Sequence, residues 1–342
     1  MLDVARLARV SLKTVSRVVN GEGGVAGDTS DRVRRAAEEL RYLPNAAASN
    51  LARSGRRTRS IALLIGTMDN PFFASILRGV EEAAKNRDVV VFAASTQMSP
   101  VTEESLVRAF ASRQVDGFLI VPAPCDHAGV AELMGASIPC VYVDCAPVGV
   151  IADVVTADNA PAAARATRHL IAHGHRRIGF LCDDLRLSTA AARLAGYREA
   201  LHEAGIAYDP TLVAADVVTT ADAETALERL LALPEAPTAL FASRNMASVG
   251  AIRVLKRRGL SHRVAVVGMD ELDVADLVDP PLTTMAQDPV AFGHLAAERL
   301  FQRIDGHDLP PETLVVPAHL VVRGSGEIPA PADPEPRGRG AR

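Results

Sequence analysis

Residues 3–20 read Asp-Val-Ala-Arg-Leu-Ala-Arg-Val-Ser-Leu-Lys-Thr-Val-Ser-Arg-Val-Val-Asn, and this stretch decides the first domain. Val4, Leu7 and Ala8 fall at helical spacing over residues 3–8, and Asp3 lies in the first turn, where its charge suits the helix dipole. Arg9-Val10-Ser11 interrupts the pattern. The Ser11 hydroxyl is placed to cap a second helix over residues 12–19, with Val15, Val18 and Val19 on one face. Gly21, Gly23 and Gly24 predict a loop. A third helix over 28–40 turns Val33, Ala36, Ala37 and Leu40 inward and Arg32, Arg34 and Arg35 outward. Three short helices with a three-residue turn between the first two make a helix-turn-helix unit, and small Ala5 and Ala8 allow the close crossing it needs. Ser11, Thr14 and Ser16 can donate to phosphate oxygens. Leu12, Lys13 and Arg17 lie at the end or first turns of the helix that such units lay in a major groove, where Arg or Lys pairs with guanine and Leu meets a thymine methyl. The bland alternative is a small bundle with a solvated basic face.

Charge separates the same region from the rest. Residues 1–60 hold 12 Lys and Arg against 6 Asp and Glu, a net of +6, which leaves −10 for the remainder of a chain whose total is −4. A basic head on an acidic body implies that only the head meets a polyanion. At 342 residues the chain fits two or three domains, and a hydrophobic share of 48% supplies sizeable cores. No run of about 18 apolar residues exists, and the start has an early acid and no long apolar stretch, so neither a membrane span nor a secretory leader is expected. Cys125, Cys140, Cys145 and Cys182 form no CxxC pair and read as reduced thiols of a cytoplasmic protein.

Beyond the head, Pro44-Asn45 breaks the chain before an alanine-rich piece at 46–52, and residues 53–59 read as a basic linker. From residue 61 apolar runs alternate with amphipathic helices: Ile61–Ile65, Val89–Ala94, Gly117–Val121, Cys140–Val143, Ile178–Cys182, Ala239–Ala242 and Val264–Val267. That alternation predicts parallel α/β sheets in two doubly wound lobes. The tail from Pro329, rich in Pro, Gly and Arg, predicts disorder.

Thr14-Val15-Ser16-Arg17-Val18-Val19-Asn20 followed by Tyr42-Leu43-Pro44-Asn45 resembles the headpiece of the LacI/GalR family of transcriptional regulators, ungapped from Asp3 to Ala52. The likeness continues through Asn70-Pro71-Phe72-Phe73, Asp116-Gly117, His173 to Ile178, Ser188-Thr189-Ala190 with Arg193 to Tyr197, Gly268-Met269-Asp270 and Pro281 to Thr284 with Gln287-Asp288. It implies an α/β protein with a helix-turn-helix domain (1–45), a hinge helix and linker (46–59), an N-terminal lobe (60–157 and 289–316), a C-terminal lobe (158–288 and 317–328) of periplasmic-binding-protein type I kind, and a disordered tail (329–342). It assigns DNA contacts to Ser11, Leu12, Lys13, Thr14, Ser16, Arg17, Asn20, Asn45, Ala48 and Leu51, with Leu51 as an apolar wedge in the minor groove that bends the duplex. On its own, Leu51 reads as a packed linker residue.

Two departures stand out. Arg9 occupies a turn position where the family usually has Gly; a left-handed Arg there costs roughly 1 kcal/mol relative to Gly. The family also tends to carry residues before Asp3, including a hydroxyl residue that caps the first helix, so either the start of this sequence is misassigned or its first helix is expected to fray.

Asp144 and Asp270 end strands, where ligands bind in open α/β sheets, and Arg193 begins a helix. Two acceptors and a donor suit vicinal hydroxyls, and Phe72 offers a face to a ring; taken singly, such residues read as surface ion pairs. The resemblance assigns effector contacts to Phe72, Asp144, Thr189, Arg193, Asp270 and Gln287, and hence a sugar-like effector. Where the family has Asn-Asp or Asn-Asn, this chain has Arg244-Asn245. Arg244 in the pocket would favour an acid or phosphate on the effector; pointing outward it would be inert. The resemblance further implies a homodimer on a palindromic operator, repression and no cofactor. The tail after Gly326 has no leucine heptad for tetramers. A stand-alone sugar receptor would share the body but need a signal peptide and no basic head. An enzyme is not expected, because no GxxxxGK[ST], GxSxG or HExxH pattern occurs. His169 and His173, four apart, lack a third zinc ligand at suitable spacing, so no metal is expected, and Asp183-Asp184 and Glu103-Glu104 read as solvated acids.

Overall fold

The structure, a computed structural model, describes residues 1–19, 23–42, 57–135 and 138–332. Asn20, Asn45, Ala48, Leu51, the 46–52 segment and residues 333–342 lie outside the described residues. The chain divides into two compact units, Met1–Thr58 and Arg59–Arg342.

In the first unit α1 (Leu2–Ala8), α2 (Leu12–Val19) and α3 (Gly27–Glu39) bury Val4, Ala5, Ala8, Val15, Val33 and Ala36 against one another. The turn works as the spacing requires. Arg9 is left-handed (φ 53°) and ends α1, with its N–H returned to Ala5 and Arg6. Ser11 Oγ accepts the Thr14 N–H at 3.1 Å, a cap for α2. Helix α1 forms without a side-chain cap of its own. Leu40, expected inside, is exposed because α3 ends at Glu39 and Leu40 lies in its C-terminal cap.

The second unit is built on two six-stranded sheets. The first has the order β11-β5-β4-β3-β1-β2 and is parallel throughout. Its strands are β1 (Ser60–Ile65), β2 (Val90–Ser95), β3 (Phe118–Ile120), β4 (Cys140–Val143), β5 (Asp153–Ala157) and β11 (Thr313–Val316). The second runs β12-β10-β9-β8-β6-β7, with β6 (Ile178–Leu181), β7 (Val213–Ala214), β8 (Ala239–Ala242), β9 (Ala265–Met269), β10 (Thr283–Ala286) and β12 (His319–Val321); only β12 is antiparallel to its neighbour. Strand β1 is buried along its whole length, which is why its sequence after Ser60 is an unbroken apolar run.

The chain passes between the sheets three times, after β5, after β10 and between β11 and β12. The Asp158 carboxylate ties two of these passages together, accepting the Ala318 N–H at 2.7 Å and Arg165 at 2.9 Å. Helices α4 (Pro71–Lys85) and α11 (Pro289–Ile304) cover the first sheet and touch through glycines: a Cβ on Gly79 would stand 2.2 Å from the Val290 carbonyl oxygen, and one on Gly293 2.2 Å from that of Ile76. Any larger residue would drive the two helices apart. The same first lobe buries Asp153 between Arg299 (2.8 Å) and Arg303 (2.7 Å).

The structure differs from the sequence reading at three further places. Glu103 is fully buried rather than solvated, and Ile328–Ala330 is tied down, with His175 Nε2 at 2.8 Å from the Ile328 carbonyl oxygen and the Ala330 N–H donating to His173 at 3.0 Å. Asp183 and Asp184 are also engaged, with Arg244 and Arg186. His169 meets Glu327 through Nε2, and His173 Nδ1 lies 2.9 Å from the His169 carbonyl oxygen.

Candidate ligand cleft and nucleic-acid interface

Between the two sheets lies a cavity of about 680 Å³, at the carboxyl ends of their strands. All seven residues expected at an effector site line it: Phe72, Asp144, Thr189, Arg193, Arg244, Asp270 and Gln287. The first lobe supplies Phe72, in the opening turn of α4. Asn70 caps that helix by accepting the Phe72 N–H at 3.0 Å, and Pro71 sits where a missing N–H costs nothing. The Phe72 ring is fixed by edge contacts with Phe73 and Phe292 at 5.7 and 5.8 Å.

The two strand-end acids share a backbone device. Asp144 (φ 69°) and Asp270 (φ 71°) both turn left-handed just past their strands, which aims the carboxylate off the sheet edge. Such a conformation is uncommon for a side chain other than Asn or Asp. Asp270 is held on both oxygens, by Gln287 Nε2 on one and by the Asn245 N–H at 3.3 Å on the other. Among the described residues, the Asp144 carboxylate receives only the Cys145 thiol, at 3.7 Å. Burial raises the Asp144 carboxyl to about 6; Arg193 opposes that rise, and the Asp270 charge adds to it.

Arg193 lies on α8 (Ser188–Glu203) and is 8% exposed. Its Nε donates to Asn159 at 2.8 Å and its Nη1 to the Ser243 carbonyl at 2.6 Å, so the guanidinium is locked before any ligand arrives. Thr189 Oγ1 meets Cys145 Sγ at 3.3 Å across the cleft. Gln287 Oε1 is buried with no hydrogen-bond partner. Arg244, by contrast, is already engaged: its Nη1 contacts the Asp183 carboxylate and the Val217 carbonyl. The expected second cation is thus neutralised in place.

Sequence reasoning passed over Asn245, which begins α10 (Asn245–Arg258) and is 4% exposed. Its Nδ2 donates to Asn70 Oδ1 at 2.6 Å, joining the two lobes, while its N–H holds Asp270. The signal was available: an Asn ahead of Pro-Phe-Phe reads as a helix cap, and a polar residue opening a helix after a buried strand faces the strand ends.

In the first unit, Ser11, Leu12, Lys13, Thr14, Ser16 and Arg17 share α2 and the turn before it. Leu12 is 45% exposed and Lys13 is exposed, so both are presented to solvent. Arg17 Nη2 donates to the Gly23 carbonyl at 2.7 Å; Gly24 (φ 88°) follows, where a Cβ would stand 2.9 Å from that same nitrogen.

Residues 1–45 match the family described as bacterial regulatory proteins, lacI family, and residues 167–326 match a periplasmic binding protein-like domain. The ribose operon repressor of Haemophilus influenzae is 33% identical over 327 residues, covering 95% of this chain and 98% of that protein. This chain belongs to the LacI family. CelR of Thermobifida fusca, an HTH-type transcriptional regulator, is 37% identical over 333 residues, covering 94% and 97%. Among solved structures, a CelR–cellobiose complex is similar at 35% identity and TM-score 0.71, covering 94% of this chain and 98% of that one. The lac repressor dimer bound to operator and the anti-inducer ONPF is similar at 25% identity and TM-score 0.83, covering 95% and 98%. As a LacI-family member the chain is a DNA-binding transcriptional regulator and not an enzyme. Among the described residues no helix is long and apolar enough to cross a membrane, and all four cysteines are free thiols.

Proposed function

We propose that this LacI-family regulator is a cytoplasmic repressor that binds a palindromic operator as a homodimer and releases or tightens it in response to a neutral, sugar-like effector in the cleft. The observation that carries the reading is the locked Arg193 guanidinium set among Asp144, Asp270 and Gln287, beside the Phe72 ring. Acid acceptors and a fixed donor beside an apolar face are what vicinal hydroxyls on a ring require. The engagement of Arg244 by Asp183 favours a neutral effector over an acid or phosphate, because no unpaired second cation is offered there. The cellobiose bound by CelR and the operator bound by the lac repressor dimer point the same way.

On the DNA side, Leu12, Lys13 and Arg17 read bases, Ser11, Thr14, Ser16 and Asn20 hold the backbone, and Asn45, Ala48 and Leu51 act at the minor groove. Effector occupancy shifts the lobes between two arrangements and so changes the operator-bound population; by reciprocity DNA changes effector affinity by the same factor, about 5–150-fold. The test is a mobility-shift assay on the DNA upstream of the gene at fixed salt, with neutral mono- and disaccharides and sugar phosphates as arms. Sequence-selective retention that responds to a neutral sugar and is lost in Arg17→Ala and Leu51→Ala is expected. Retention that responds only to sugar phosphates would overturn the neutral-effector reading, and absence of selective retention under every condition would overturn the regulatory one.

A further inference from the structure

Glu103 lies in the first turn of α5 (Pro100–Ala111), completely buried. The other fully buried acid of this lobe, Asp153, has two guanidiniums; among the described residues no Arg or Lys pairs with Glu103. Its Oε2 accepts the Ala123 N–H at 2.7 Å, while its Oε1 has no hydrogen-bond partner. Oε1 stands 3.3 Å from His127 Nε2, and Cys125 Sγ stands 3.8 Å from that same nitrogen. The three donor atoms lie within 4.8 Å of one another. The Tyr142 hydroxyl is also buried without a partner, and its ring meets the His127 ring edge-on at 5.6 Å.

Carboxylate, imidazole and thiolate converging from two segments form a donor set that zinc favours. Around a tetrahedral zinc, bonds of about 2.3 Å to sulfur and about 2.0 Å to nitrogen and oxygen put sulfur and nitrogen about 3.6 Å apart and nitrogen and oxygen about 3.3 Å apart. The observed separations of 3.8 and 3.3 Å are close to those edges. We propose that Glu103, Cys125 and His127 bind one zinc ion in the N-terminal lobe, with the Tyr142 hydroxyl or a water completing the shell.

Binding replaces the Cys125 S–H proton, which leaves to solvent, by a sulfur–zinc bond; no oxidation state changes. Without metal, burial and the neighbouring Glu103 and Asp126 charges hold that thiol protonated. His127 Nδ1 now accepts the Val148 N–H at 3.3 Å, so coordination through Nε2 moves the ring proton to Nδ1 and turns that N–H to solvent. Val148 is 51% exposed, and one long contact is a small loss against three bonds to zinc. The rival arrangement is a neutral His127 that keeps its proton on Nε2, facing Glu103 Oε1, and goes on accepting the Val148 N–H at Nδ1. Pro124, which sits between the Ala123 amide and Cys125, lines the cleft, so the ion would brace part of that wall.

The experiment uses the full chain, stripped with a chelator and titrated with Co²⁺ and then Zn²⁺. One equivalent of cobalt is expected to give a thiolate-to-cobalt charge-transfer band that zinc abolishes. The band should vanish in Cys125→Ser, persist in Cys140→Ser and Cys182→Ser, and need at least tenfold more cobalt in Glu103→Gln. Absence of the band at stoichiometric cobalt, or its survival in Cys125→Ser, overturns the proposal. A melting temperature indifferent to zinc overturns it in favour of the hydrogen-bonded pair. Should Cys125→Ser not fold, X-ray absorption of the zinc-loaded natural protein decides: one sulfur among the nearest neighbours supports the site, and none overturns it.

Discussion

The two walls of the cleft repeat one backbone and diverge in side chains. Strands β4 and β9 each stand third in their sheets, and each is followed by a left-handed aspartate. On the C-terminal wall Asp270 is clamped by Gln287 and by the Asn245 amide; on the N-terminal wall, among the described residues, the Asp144 carboxylate has only a thiol as hydrogen-bond partner. The same fold geometry thus yields one fixed acceptor and one whose charge changes near neutral pH. The fold dictates where the carboxylates stand, and their neighbours dictate how firmly each is held.

Arg193→Ala should have the largest effect, because it removes the cation common to both walls and strands Asn159 Oδ1 and the Ser243 carbonyl. Loss of about 3 kcal/mol in urea melts and about 100-fold or more in effector affinity by calorimetry is expected. A milder result would mean that the two acids act independently.

Next come the acids themselves. Asp270→Asn should weaken the effector about 10–100-fold, since it disturbs a fixed hydrogen-bonded anchor. Asp144→Asn should weaken it less, and should abolish a rise in affinity that the natural protein shows as pH passes through about 6. Its stability has a definite sign. The folded value is raised from 3.8 to about 6, so the group favours the fold at low pH and that contribution is lost as pH rises through this window. The unliganded Asp144→Asn variant should therefore be more stable at neutral pH by about 1–2 kcal/mol after allowing for cleft water, and equal near pH 4. Identical pH profiles for the two variants would erase the contrast.

The Asn70–Asn245 bridge is expected to matter less. A double-mutant cycle with alanine at each position should return about 1 kcal/mol of coupling in effector binding or melting. The smallest effect is predicted for Arg244→Gln, under about threefold in effector affinity, because the guanidinium is occupied by Asp183. A large loss there would move the effector's contacts outward along the C-terminal wall.

Much of the architecture was legible because buried parallel strands are continuous apolar runs, as in Ile61–Ile65 and Ala239–Ala242. Strands β5, β10 and β11, together with the two short edge strands β7 and β12, escaped that test. The first opens on Asp153, which is tolerated inside only through its two arginines; the second is half threonine; the third is an edge strand with exposed positions. The cleft residues were found by likeness to a family rather than by periodicity, since single acids and arginines carry no spacing signal. What stayed hidden was pairing. Nothing in the order of residues shows that Asp183 reaches Arg244, 61 positions away, or that Glu103 turns inward while its neighbour Glu104 meets Arg108 at the surface.

The glycine contact between α4 and α11 has a bearing on how the polypeptide is made. Ile76 and Val80 on α4 complete their packing with Phe292, Ala296 and Leu300, which follow them by more than two hundred positions. A nascent chain leaving the ribosome must therefore hold the front half of this domain unfinished until the last helix of the described residues emerges. Translation stalled before Pro289 would leave a greasy, chaperone-dependent intermediate, and a fragment ending there would be a target for proteolysis rather than a smaller regulator.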